Sequence, residues 1–335
     1  MLKALLCALI GRTFASCLVG RPLIKILLAI LVFIPSGHLA LANGGSEPDI
    51  EEPSFHPKSV TWSQLRLGAS RLGLSVSADI SLQRLQDAAA SHDLVVPDKG
   101  RPVVSHHGDA MVIVFHTKSP GTELKTSLWL DGQNGAVLQR SRHVMTRGDE
   151  RQKIDRYAHD GLFSIRKKPR PNEAGKPVAQ WTDISRKFIA FPSILFDDAV
   201  VSEPSALIYI TSVLNLQKPG DQVEILAYFD DHLHVVTIEL EGVEAVETDF
   251  LLRQGNTSKK VKGRREALRY ALWAHALAAS LGRSRLRLNG LGGDLKLLID
   301  RYMHVPLELR GSVRLLGEMT LHLKKVKLLA LPAQP

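Results

Sequence analysis

Two groups of histidines offer the first candidate chemistry. His106 and His107 lie near His116, and His232 and His234 stand two residues apart. On a strand, residues i and i+2 share a face, as a pair of metal ligands requires. A third ligand would have to come from elsewhere in the chain. His232 also adjoins Asp230-Asp231, where solvated turn residues account for it more simply. The acidic pairs Asp197-Asp198 and Asp230-Asp231 invite comparison with glycoside hydrolysis, in which two carboxylates flank one bond. Neighbours on a strand point to opposite faces, so neither pair does this alone. Gly290-Leu291-Gly292-Gly293 is followed by a strand pattern, not by a helix start that could offer backbone N–H groups to a phosphate. It reads as a hairpin loop. No nucleophile elbow, zinc-protease, P-loop or dinucleotide fingerprint occurs. The expectation is a non-enzymatic protein with no metal and no other cofactor; a glycan hydrolase is the less favoured alternative.

The basic residues give a stronger pattern. The chain carries a formal net charge of +9. Ten cations crowd residues 251–288: Arg253, Lys259, Lys260, Lys262, Arg264, Arg265, Arg269, Arg283, Arg285 and Arg287, against Glu266 alone. Such a cluster attracts nucleic acid, anionic lipid or acidic polysaccharide. The candidate ligand-binding set for an anionic group is Lys259, Lys260, Lys262, Arg264, Arg265 and Arg269. The other reading is a solvated face balanced by acids elsewhere in the fold. Trp62, Trp129, Trp181 and Trp273 are scattered, so no sugar-stacking platform is visible.

The N-terminus decides among those partners. Residues 1–42 contain Lys3, Arg12, Arg21 and Lys25 and no acid. An uncharged apolar run follows at residues 26–34, then Pro35-Ser36-Gly37, then Ala40-Leu41-Ala42. A basic region, a short apolar core and small residues at the cut make a secretory signal peptide, with cleavage expected after Ala42. The core is shorter than the roughly 20 apolar residues a spanning helix needs. The expected address is the periplasm, which makes nucleic acid the least expected partner and leaves an envelope lipid, a polysaccharide or an envelope protein. Cys7 and Cys17 both lie in the leader, so the exported part has no thiol and no disulfide. Its stability must come from burial, for which about 290 residues suffice.

Residues 43–60, rich in proline, glycine and charge, read as a linker. Residues 61–330 read as a single β-rich domain. Alternation of apolar and polar residues predicts strands at 74–82, 110–117, 124–130, 137–144, 153–158, 162–167, 223–229, 232–240, 242–250, 295–299, 307–309, 313–316 and 319–329. Asp131-Gly132 with Asn134-Gly135, His159-Asp160-Gly161 and Asp230-Asp231 mark hairpin turns. Three stretches have helical spacing: Trp62, Leu65, Ala69 and Leu72; residues 205–214 after Glu203-Pro204; and the Ala- and Leu-rich residues 265–281, which also alternate as a strand. The fold class is mainly β, a curved antiparallel sheet or open half barrel with one to three short helices. Its apolar face needs a cover: a helix, a partner or an acyl chain.

The order of segments in the C-terminal half resembles a bacterial exported-protein family, domain of unknown function 3108. The resemblance is carried by Phe196-Asp197-Asp198, then Lys218-Pro219-Gly220-Asp221, then the hairpin ending Leu240-Glu241-Gly242-Val243-Glu244. It continues with Leu297-Leu298-Ile299-Asp300, Val305-Pro306-Leu307-Glu308-Leu309, Gly311 and Gly317, and includes Tyr157, Asp160-Gly161-Leu162-Phe163 and Pro169. It covers residues 62–329 and departs from the family pattern over residues 258–287. The resemblance implies an exported β-rich fold similar to half-barrel lipoprotein carriers, and it brings no catalytic residues. The function expected is binding of a lipid or other amphipathic or anionic envelope molecule on a curved sheet. The alternative is an envelope assembly or scaffolding partner without small-molecule cargo.

Overall fold

The computed structural model describes residues 54–55, 59–71, 74–85, 92–106, 109–192, 200–277, 283–288, 290–313 and 317–329. The expected leader, its expected cleavage site and most of the expected linker lie outside the described residues, as do His107 and Asp197-Asp198.

The fold is mainly β, as the alternation predicts. In chain order the strands are β1 (Ser54–Phe55), β2 (Trp62–Arg71), β3 (Leu74–Leu85), β4 (Ala110–Ser119), β5 (Thr122–Asp131), β6 (Val137–Thr146), β7 (Asp149–Ala158), β8 (Gly161–Lys168) and β9 (Asp183–Ala190). After them come β10 (Val201–Ser202), helix α1 (Leu207–Val213), β11 (Leu214–Asn215), β12 (Gln222–Phe229), β13 (His232–Gln254), β14 (Thr257–Ala276), β15 (Arg283–Ser284), β16 (Gly292–Asp300), β17 (Pro306–Val313) and β18 (Gly317–Leu328). One sheet runs in the order β10-β12-β13-β14-β16-β17-β18-β2-β3-β4-β5-β6-β7-β8-β9, with β15 paired to β14. All neighbours on this path are antiparallel except β10 with β12. A further parallel contact joins Leu251–Arg253 of β13 to Lys325–Lys327 of β18 and partly closes a five-stranded ring, β13-β14-β16-β17-β18. The ring then opens into the long meander from β2 to β9.

Two of the helical spacings are strands. Residues 62–71 form β2, in which Leu65 and Leu67 alternate inward while Trp62 comes into phase through a register shift between Lys327 and Leu328 of its neighbour β18. That shift produces the three-residue step that mimics a helix. Likewise residues 265–276 belong to β14. Tyr270, Leu272 and Ala274 face the core, and the strand is paired on both edges by β13 and β16. Pairing on both sides outweighs the helix propensity of its alanines and leucines, which amounts to tenths of a kcal/mol per residue. The strand expected at 242–250 is continuous with 232–240. β13 passes through a bulge at Gly242, whose φ of +145° is open to a residue without Cβ.

Only the 205–214 prediction yields a helix. Pro204 opens a 3-10 turn that leads into α1, and every residue from Leu207 to Val213 is buried. A helix apolar on all sides belongs inside a core. Tyr209 reaches Met111 of β4, and α1 packs on β16, so the helix fills the inner face between the ring and the meander. It is the cover that the apolar face requires.

The outer face of the meander carries a second, smaller core of Ala110, Trp129 and Leu138, beneath residues 92–105. Side chains from the sheet tether that segment. Gln139 accepts from the Val95 N–H at 2.8 Å and donates to the Asp93 carbonyl at 2.9 Å. Arg156 donates to the carbonyls of Leu138 (2.5 Å) and Val103 (2.8 Å). With no ion pair to a carboxylate among the described residues, burial pulls the Arg156 guanidinium down to a pKa of about 10.

Candidate functional site

Residues directly opposite on neighbouring strands share a face of the sheet. One such rung runs Leu65, Ile80, Phe115, Thr126, Arg142, Lys153, Arg166, Ser185 from β2 to β9. The next runs Leu82, Ile113, Leu128, Arg140, Asp155, Ser164, Lys187 from β3 to β9. Both turn to charge at β6, the second directly from aliphatic side chains and the first by way of Phe115 and the buried Thr126. The inner face is therefore apolar under α1 and cationic at its far end.

At that end the rungs floor a cleft of about 470 Å³. Phe115, Thr117, Leu124 and Thr126 line its apolar side, and Arg142, Lys153 and Arg166 its basic side. Glu203-Pro204-Ser205, the β12–β13 turn at Tyr228 to Asp231, and Arg285 with Arg287 form the walls. A cleft of this size accommodates a small ligand or the head of a larger one.

The electrostatics divide into a neutralised base and a free set above it. Arg140 lies between Asp155 (2.5 Å) and Glu203 (3.2 Å), both buried. Desolvation opposes its charge, but Asp155, Tyr157 and Glu203 outweigh that and hold its pKa above the ordinary arginine value. Burial likewise opposes the Asp155 carboxylate, yet Arg140 and Lys153, whose Nζ is 3.3 Å away, hold its pKa below the usual range. By contrast, Arg142, Arg166, Arg285 and Arg287 make no ion pair with a carboxylate among the described residues. Arg142 is open to solvent yet walled by protein. Desolvation, and after it the charge of Arg140, pulls its pKa down. In the β12–β13 turn, Asp230 and Asp231 take φ of +48° and +62°, the two left-handed positions of a type I′ hairpin turn. Tyr228 donates to Asp231 at 3.5 Å, and burial followed by that aspartate pushes its phenol pKa up.

The basic set expected from the sequence does not converge. Lys260, Lys262 and Arg264 share one face of the β13–β14 hairpin, where Leu251, Asp249 and Glu247 stand opposite them. Lys260 pairs with Asp249 at 3.2 Å. Lys259 and Arg265 lie on the other face, and Arg265 binds the buried Asp300. Arg269 bridges Glu241 (2.8 Å) and Glu244 (3.0 Å) in a balanced network with Lys296, Arg310, Glu308 and His322. Arg285 and Arg287, from the same basic stretch, reach the cleft instead.

The histidines are spread as well. His106 pairs with the buried Asp131 (2.7 Å), His116 with Glu123, and His234 stacks on Phe229 at 3.7 Å while His232 is exposed. Among the described residues no group of three or more histidines, cysteines, aspartates or glutamates could hold a metal ion. Gly290 sits in a tight turn bridged by Leu288 and Leu291, as a hairpin loop would be.

Sequence reasoning missed Arg140, Arg142, Lys153 and Arg166 as a group. The available signal was parity: Arg140 and Arg142 stand where a β6 strand continuing the apolar alternation of β5 would turn inward. Only the register of three strands, β6 to β8, makes those positions neighbours. No family model, curated protein or solved structure matches the chain.

Proposed function

We propose that the protein is a non-enzymatic binder of an amphipathic anionic envelope molecule, working in the periplasm after removal of its leader. One observation carries the reading: a continuous sheet face passes from a buried apolar interior to charge, and at that transition Phe115 and Leu124 share one cleft with the unpaired guanidinium groups of Arg142 and Arg166. Unpaired cations held close together repel one another and gain most from an anion that sits between them. The apolar interior is filled by α1, so the ligand's apolar part meets the rim formed by Phe115, Leu124 and Phe229, and its charged head meets Arg142 and Arg166. The basic, acid-free leader and the absence of cysteine from the remainder support the address. So does the segment order resembling domain of unknown function 3108.

Native mass spectrometry of the mature protein, purified from its host without detergent, tests this. The expected result is an adduct of lipid-like mass that is lost when Arg142 and Arg166 are both changed to alanine. A bare polypeptide mass in wild type and variant alike would overturn the proposal.

A further inference from the structure

We propose that the head group bound in the cleft is phosphoryl, a phosphomonoester or diphosphate carrying two negative charges or more; this rests on the binding role argued above. The charge balance of the cleft is the first argument. Arg140, Arg142, Lys153, Arg166, Arg285 and Arg287 are six cations, and Asp155, Glu203, Asp230 and Asp231 are four carboxylates, which leaves two positive charges to be matched. Lys187, 3.9 Å from Asp231, raises that excess. A monoanion would leave part of the excess positive charge around Arg142 uncompensated, whereas a dianion neutralises the set.

Geometry is the second argument. The four free guanidinium groups come from three places: β6, β8 and the segment after β15. They approach the cleft from different sides, which suits a tetrahedral group with several acceptor oxygens better than a planar carboxylate that one arginine can satisfy. The planar guanidinium fork matches phosphate oxygens two at a time. Selectivity is the third. Asp230 and Asp231, exposed on the cleft wall, repel an extended polyanion lying across the cleft more than a single compact head.

Calorimetric titration of the mature protein with matched amphiphiles below their micelle concentration tests the assignment. Decyl phosphate, a dianion at pH 8, is compared with decyl sulfate, a tetrahedral monoanion on the same chain, and with inorganic phosphate and pyrophosphate. The expected result is at least about tenfold tighter binding of decyl phosphate than of decyl sulfate, a step of about 1.4 kcal/mol. Changing Arg142 and Arg166 to alanine removes that preference. So does the independent pair Arg285→Ala and Arg287→Ala, with each variant's fold checked by circular dichroism. Equal affinity for phosphate and sulfate would overturn the phosphoryl assignment and leave amphiphile binding standing. Inorganic phosphate or pyrophosphate binding as tightly as decyl phosphate would support the phosphoryl assignment and defeat the amphiphile reading. No binding of any probe would defeat both.

Discussion

Arg140 and Asp155 stand directly opposite each other on β6 and β7, with Nη2 and Oδ2 2.5 Å apart and the carboxylate fully buried. Removing one member of such a pair leaves an uncompensated charge inside the protein and typically costs about 3–5 kcal/mol. Asp155→Asn is therefore expected to lower stability by about 3 kcal/mol, read from the urea midpoint at constant slope. Arg140→Met is expected to be worse, because it strands Asp155 and Glu203 together. A loss below about 1 kcal/mol in both variants would mean that water reaches the pair and screens it.

Acid should act through Glu173. Its carboxylate accepts from the Arg170 N–H (3.0 Å), the Thr182 N–H (3.1 Å) and the Thr182 hydroxyl (2.6 Å), and these hydrogen bonds hold its pKa down at about 2. A carboxylate depressed in the folded state adds stability above its unfolded pKa, and that stability is lost as pH falls through the folded value. The window here runs from about pH 4.5, the ordinary value, down to about 2. Glu173→Gln should flatten the dependence of the thermal midpoint on pH across that window, with the variant's deficit largest at pH 7 and fading as pH falls toward 2. A parallel pH profile for wild type and variant would show that the loop it clips does not take part in cooperative unfolding.

The inner helix should behave as core. Ile208 in α1 is fully buried, so Ile208→Ala is expected to cost about 2–5 kcal/mol, measured by urea denaturation. If the midpoint hardly moved, α1 would be an adaptable cover, and its site could open to an acyl chain.

Most of this architecture was legible in the alternation of side chains. The Asp131-Gly132, Asp160-Gly161 and Asp230-Asp231 turns fall where the strands reverse, and Pro204 marks the helix. What was not legible depends on partners distant in sequence. Trp62 breaks the alternation set by Leu65 and Leu67, and it turns inward only because the pairing with β18, some 260 positions away, shifts register beside it. The alternation of residues 265–276 is indistinguishable from a helix face until β13 and β16 are in place on both edges. For the site the gap is wider. Charge density along the chain pointed to residues 259–269, yet pairing with Asp249, Asp300, Glu241 and Glu244 absorbs Lys260, Arg265 and Arg269 there. A cation's partners are set by the tertiary fold, and free cations, not merely numerous ones, mark a binding surface.

Charge reversal at the hairpin tip should leave the cleft intact. Lys259, Lys260 and Lys262 are exposed at the tip of the β13–β14 hairpin, Lys259 on the opposite face from the other two, and none of them lines the cleft. Changing all three to glutamate removes six units of positive charge relative to wild type and weakens any long-range attraction to an anionic surface. That loss should fade with salt, because screening reaches about 8 Å at physiological ionic strength. Binding of decyl phosphate in 0.15 M salt should stay within about twofold of wild type, since affinity for a compact head comes from contacts in the cleft. The Arg142 and Arg166 double variant should show the reverse pattern: little change in vesicle association and loss of decyl phosphate binding. If the lysine reversal abolished decyl phosphate binding in that salt, the hairpin tip would be the site and the cleft arginines would be structural.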